Sequence, residues 1–141
     1  MPYPDLLVKP MREDLVRLGF RELRTPDEVE SLVKSEKDPV LMVINSVCGC
    51  AAGAMRPGVG LSLQKSEVKP PVLATVFAGQ DVEATQKARE YFVGYPPSSP
   101  SVALLKGGEL VWMLERHQIE GRGPEEIAQD LAEAYKEHCA A

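Results

Sequence analysis

Two thiols separated by one glycine, Cys48-Gly49-Cys50, are the residues of this 141-residue chain best suited to do chemistry. The thiolate is the nucleophile and the metal ligand. A pair this close therefore suits either disulfide exchange or capture of a soft ion. Residues i and i+2 can bring their Cα atoms about 5.5–6 Å apart, inside the disulfide range, though the ring they close is small and strained. Strain raises the reduction potential, so such a bond is passed on more readily than a relaxed one. Gly49 relieves part of the strain by taking dihedrals closed to other residues. The spacing thus favours a labile, exchanging pair over a structural crosslink. Cys48 is expected outward as the nucleophile, and Cys50, deeper in the turn, as the resolving or supporting thiol. Two alternatives stand beside this: a pair of small buried packing residues, or a metal site. A closed zinc site needs four ligands, and Cys139, His117 and His138 stand at no ligand spacing from the pair.

The elements around the motif decide how reactive it is. Val40-Leu41-Met42-Val43-Ile44 is a continuous apolar run, which suits a strand buried on both faces. Ala51–Lys65 reads as a helix with Pro57 as a kink or break. The motif then occupies a strand-to-helix turn, where unpaired N–H groups and the helix dipole lower a thiol's pKa from about 8.5 into roughly the 3.5–7.5 range. Before this unit, residues 1–10 read as an irregular lead-in, and Met11, Leu15 and Leu18 mark a short helix stopped at Gly19. Thr25-Pro26-Asp27-Glu28 is a capping box opening a helix with Val29, Leu32 and Val33 on its apolar face. After it come a strand at 71–78 and a helix at 82–93, capped by Asp81 with Val82, Ala88 and Phe92 inward. Two strands, 102–105 and 109–114, are joined across Lys106-Gly107-Gly108, and a last helix opens at Pro124 with Ile127, Leu131, Ala134 and Tyr135 on one face. The order predicts an α/β fold: a mixed central sheet of about four strands with helices on both faces.

Composition narrows the function classes. Sixteen Lys and Arg against 21 Asp and Glu give a net charge of −5, with only 6% aromatics. That combination offers neither the phosphate-binding charge nor the stacking platform of a nucleic-acid binder. The longest uncharged stretch, 39–55, is too short and too polar to span a bilayer. An odd cysteine count without a visible export signal argues against a disulfide framework and predicts a cytoplasmic protein. A peroxidase would need a Thr/Ser-and-Arg pattern around the thiol, and none surrounds Cys48.

Asn45-Ser46-Val47-Cys48-Gly49-Cys50-Ala51-Ala52-Gly53, followed by Arg56-Pro57-Gly58, closely resembles the bacilliredoxins, thioredoxin-like bacterial proteins with a C-G-C active site. The likeness continues through Val76–Asp81, Ala88–Phe92, Ser98–Ser101, Ala103–Gly107 and Arg116–Gly121, spanning Pro10 to Cys139 in order. It departs at Ala54-Met55 and at Gly58-Val59-Gly60, whose extra glycines are expected to loosen that helix. The resemblance implies one thioredoxin-like domain over 1–141, with residues 1–38 as a helical extension packed on it. It implies a thiol–disulfide oxidoreductase that removes bacillithiol from mixed disulfides on client proteins, with disulfide reductase or isomerase activity besides. Its partners would be bacillithiolated or disulfide-bonded clients and a low-molecular-weight thiol, with bacillithiol as co-substrate and no bound cofactor. A non-catalytic binding module or soft-metal carrier is the alternative.

The same resemblance makes Ser99-Pro100 a candidate cis bond beside the thiols, with the Ser99 backbone available to an extended substrate. Gly49 joins it as a candidate substrate contact. Arg56, roughly two helical turns past Cys48, is placed either to attract an anionic thiol or to form an exposed ion pair. Trp112 reads as a packing residue, Cys139 as a packing or incidental surface thiol rather than a catalytic one, and His117 as an exposed or hydrogen-bonded loop residue rather than an aid to proton transfer.

Overall fold

A computed structural model describes residues 2–140. The elements are α1 (Asp5–Val16), β1 (Arg21–Glu22), α2 (Pro26–Ser35), β2 (Val40–Asn45), a π-helical turn (Ala51–Met55) running into α3 (Arg56–Lys65), β3 (Val72–Phe77), α4 (Val82–Arg89), β4 (Ser101–Lys106), β5 (Glu109–Leu114), α5 (Arg116–Ile119) and α6 (Pro124–His138). The strands form one sheet in the order β1-β3-β2-β4-β5. β1, β3 and β2 run parallel, β4 runs antiparallel to β2, and β5 antiparallel to β4.

β2 lies at the centre and explains its own unbroken apolar sequence. Leu41 and Val43 face a core with Met55, Val59, Ile127, Leu131 and Tyr135. Val40, Met42 and Ile44 face the opposite core with Val29, Leu32, Ala84 and Ala88. Both faces are covered, by α3 and α6 on one side and by α2 and α4 on the other, so no position of the strand can be polar until Asn45. The β4–β5 turn is the two-residue type that needs positive φ at both central positions, and Gly107 (61°) and Gly108 (81°) supply it.

Several elements differ from the sequence expectation, each for a local reason. The lead-in is helical from Asp5, and Val8, Arg12 and Leu15 form its inward face. Pro10 sits inside α1, where the intrahelical bond it forfeits would have gone to the carbonyl of Leu6, a residue 86% exposed. The sheet has five strands, because Arg21–Glu22 pairs with Ala74 and Thr75 at its edge. Residues 1–38 are therefore not purely helical, and they lend the sheet a strand. α4 stops at Arg89, after which bonds three residues apart tighten the chain through Phe92. Its inward residues are Ala84, Thr85 and Ala88, while Val82 is 49% exposed. Asp81 does not cap α4 with its side chain, because its carboxylate accepts from Arg12 Nη1 and Nη2 at 2.7 and 3.0 Å.

Gly58 of α3 has a packing role that the sequence did not suggest. A Cβ there would lie 2.7 Å from the Ile127 side chain and 3.1 Å from the Pro124 carbonyl oxygen. The glycine is what lets α3 and α6 approach so closely.

Candidate active site

Asn45 ends β2 and begins the site. Its Oδ1 accepts from the Ser46 N–H at 2.9 Å, and its Nδ2 donates to the Met11 carbonyl at 3.1 Å. The Ser46 hydroxyl then accepts from the Cys48 N–H at 2.9 Å, which fixes the turn that carries the first thiol. Helical backbone is already established at Cys50, and the Cys48 carbonyl accepts from the N–H groups of Ala51 and Ala52. The following turn is π-helical and closes with Arg56 N–H bonding to the Ala51 carbonyl. Pro57, next in the chain, has no N–H to give, so the wide turn is followed by a fresh α-helical start.

All three cysteines are free thiols. The Cys48 and Cys50 sulfurs lie 2.9 Å apart. Both are half-buried, and Cys50 packs against the α3–α6 side of the core. The Cys48 thiol is held below its ordinary pKa first by the Cys50 S–H, then by the backbone N–H of Cys50, the Arg116 charge and the Ala51 N–H, against an opposing effect of burial. Cys50 is pushed up to about 11 by burial, by its bond to Cys48 and by the neighbouring negative charge, with Arg116 pulling the other way. One thiol thus stabilises the other as an anion and remains protonated itself.

The Ser99–Pro100 peptide bond is cis. Strand register brings it to the motif, since Ile44 at the end of β2 pairs with Ser101 at the start of β4. The Ser98 carbonyl accepts from Ser101 Oγ at 3.0 Å and from Arg89 Nη2 at 3.3 Å. The Ser99 carbonyl accepts from Arg116 Nη1 at 3.0 Å. Gly49 is exposed, with open space where a Cβ would point and no positive φ.

Arg56 does not reach toward a substrate. It is 6% exposed and turned inward, with Nη1 on Asn45 Oδ1 (2.9 Å) and the Ser46 carbonyl (3.0 Å), and Nε on Asp14 (3.1 Å). It braces the turn under Cys48 and ties it to α1. The cation that acts on the thiols is Arg116, opening α5, which sequence spacing gave no reason to single out. The pattern that could have found it is positional: β5 is antiparallel to β4, so the chain must leave β5 at the sheet end where β4 begins. His117 is exposed, and Cys139 is half-buried beside Tyr135 with its thiol pushed up by burial. Among the described residues no group of three or more His, Cys, Asp or Glu could hold a metal ion, and no helix is long and apolar enough to cross a membrane.

A family model described as disulphide isomerase matches residues 3–139. The chain is 53% identical to a bacilliredoxin of Geobacillus kaustophilus, covering 99% of this chain and 98% of that one. It is 51% identical to a bacilliredoxin of Salinibacter ruber, covering 99% and 82% respectively. Among solved structures it is similar to thioredoxin of Fasciola hepatica, with a TM-score of 0.58 at 21% identity over 84% of this chain and 99% of that one. A thioredoxin mutant of Halobacterium salinarum matches with a TM-score of 0.57 at 16% identity, covering 85% and 90%. These likenesses give the fold as thioredoxin-like.

Proposed function

Because the chain belongs to the bacilliredoxin family, we propose that it is a thiol–disulfide oxidoreductase that strips bacillithiol from mixed disulfides on protein cysteines, with Cys48 attacking and Cys50 resolving. The observation that supports this most is the 2.9 Å thiol pair in which one partner is made acidic by the other. The Cys48 thiolate attacks the bacillithiol sulfur of the mixed disulfide. A bond forms from Cys48 to that sulfur, and the client's sulfur leaves as a thiolate and takes a proton from solvent. The client is thereby reduced, and Cys48 carries the bacillithiol as a disulfide.

The second step follows from the same electrostatics. Once Cys48 is capped it carries no charge, so the two causes that come from Cys48 disappear, leaving burial and the smaller effect of Glu120 opposed by Arg116. Cys50 then loses its proton more readily, attacks the Cys48 sulfur, and releases bacillithiol as the Cys48–Cys50 disulfide forms. A second bacillithiol attacking the capped thiol's outer sulfur gives the alternative exit, regenerating Cys48 and producing bacillithiol disulfide. The same exchange directed at non-native protein disulfides would supply isomerase activity. We place this chemistry in the cytoplasm, where bacillithiol and reduced clients would be available.

Mass spectrometry of the reduced protein treated with a bacillithiolated client tests the proposal. The Cys50→Ser variant should accumulate one bacillithiol on Cys48, and Cys48→Ser should accumulate none and leave the client modified. Full client reduction by Cys48→Ser would overturn the assignment.

A further inference from the structure

Arg116 occupies an unusual place for an exposed arginine. Leu114 of β5 pairs with Val102 of β4, so the chain leaves the sheet beside the Ser99–Pro100 bond and the end of β2. A capping box, Glu115 N–H to Gln118 Oε1 at 2.9 Å, sets the start of α5. The Arg116 N–H reaches Ser98 Oγ at 3.4 Å, and its Nη1 donates to the Ser99 carbonyl at 3.0 Å. The head group is thus tethered to the loop that faces the thiols, while its side chain stays 45% exposed.

Its hydrogen-bonding capacity is not used up. A guanidinium has five N–H groups. One Nε–H goes to Glu120 and one Nη1–H to Ser99, which leaves three without a partner among the described residues, both of those on Nη2 included. Glu120 is itself about half exposed, so that ion pair is weak and open to exchange. Arg56, the arginine of the motif helix, is buried and turned away, with Nε and Nη1 bonded to Asp14, Asn45 and the Ser46 carbonyl. On an acidic chain, Arg116 is the cation that acts on the thiols among the described residues, and after the Cys50 S–H and the Cys50 amide it is the next influence favouring the Cys48 thiolate.

We propose that Arg116 is a specificity-determining residue, whose tethered guanidinium binds the carboxylate of an anionic low-molecular-weight thiol while Cys48 attacks that thiol's disulfide. The inference rests on the exchange function above and adds the recognised charge. Planar guanidinium and carboxylate pair through two parallel N–H···O bonds, and the free Nη2 edge offers that geometry. A negatively charged disulfide gains this contact, a neutral one gains nothing, and a cationic one is repelled.

The test measures the rate at which the reduced full-length protein forms an adduct on Cys48 with three small symmetric disulfides. Dithiodipropionate is anionic, 2-hydroxyethyl disulfide is neutral and cystamine is cationic. The ratio of anionic to neutral rate should fall about fivefold in Arg116→Gln and further in Arg116→Glu, and Arg116→Lys should keep part of it. Raising salt to about 0.5 M should shrink the wild-type ratio toward that of Arg116→Gln. If Arg116 only acidified Cys48, both rates would fall together and the ratio would stay fixed, which would overturn the inference. Failure of the wild type to react with any of the three would instead overturn the exchange function itself.

Discussion

Cys50 first of all acts on its neighbour. Its S–H is the largest single influence lowering the Cys48 pKa. Cys50→Ala removes that donor, and the Cys48 alkylation rate at pH 7 should fall about three- to tenfold. Cys50→Ser keeps a hydroxyl donor, so its rate should lie between alanine and wild type. Equal rates in all three proteins would show that the backbone amides alone set the acidity. The two arginines show where residue-level inference from sequence ends. Spacing along a helix brought Arg56 close to Cys48, yet the side chain points into the protein because Asn45 Oδ1 and the Ser46 carbonyl need a donor there. Arg116 is 68 positions from Cys48 in the chain, and only strand pairing makes it a neighbour. Arg56→Met should cost about 2–3 kcal/mol in urea unfolding, because it strands buried acceptors under the turn that carries Cys48. Arg56→Lys should cost less, since a point charge replaces only part of the fork.

At the scale of elements, α3 carries two glycines that look alike in sequence and differ in the fold. Gly58→Ala would place a methyl group 2.7 Å from Ile127, so the helix pair must separate, at about 1–3 kcal/mol. Gly60 faces only the flexible tip of Leu18 at 3.4–3.5 Å, and Gly60→Ala should stabilise by about 0.5–1 kcal/mol through helix propensity. Opposite signs of the melting shift are the check. Long elements with strong patterns were legible: the capping box of α2, the doubly buried β2, the glycine hairpin, and the thiols at a strand-to-helix turn. Short elements without a pattern were not. Two residues of β1 have no periodicity to read, and α5 is a single turn held by its cap. α1 was hidden because Pro10 normally marks a helix boundary, and here it falls on an exposed face of the helix.

At the scale of the whole molecule, the N-terminal helix is bolted to the redox turn. Arg12 bonds Asp81 beyond β3 and lies 5.2 Å over the Phe77 ring, and Asp14 takes Arg56 from the motif helix. On that same α3–α6 side of the sheet, Tyr135 is buried in one core with Leu15, its hydroxyl 2.9 Å from Ser62 Oγ. Burial raises its pKa, with Cys139 adding to the rise and Ser62 opposing it. Sign follows from linkage: the unfolded chain loses this proton first, so the tyrosine's contribution is intact below about pH 10 and fades as pH climbs toward its folded value. Tyr135→Phe should therefore melt slightly lower than wild type at pH 7, having lost the Ser62 bond, and should lose less stability between about pH 9 and 11. Parallel alkaline melting curves would contradict that assignment.

The most direct test is iodoacetamide alkylation of the reduced protein across pH, with each modified cysteine located by mass spectrometry. Cys48 should react first, with its rate rising through a midpoint below the roughly 8.5 of a free thiol, while Cys50 remains unmodified until pH approaches about 11. Simultaneous labelling of both thiols at the ordinary midpoint, or labelling of Cys50 before Cys48, would contradict the account.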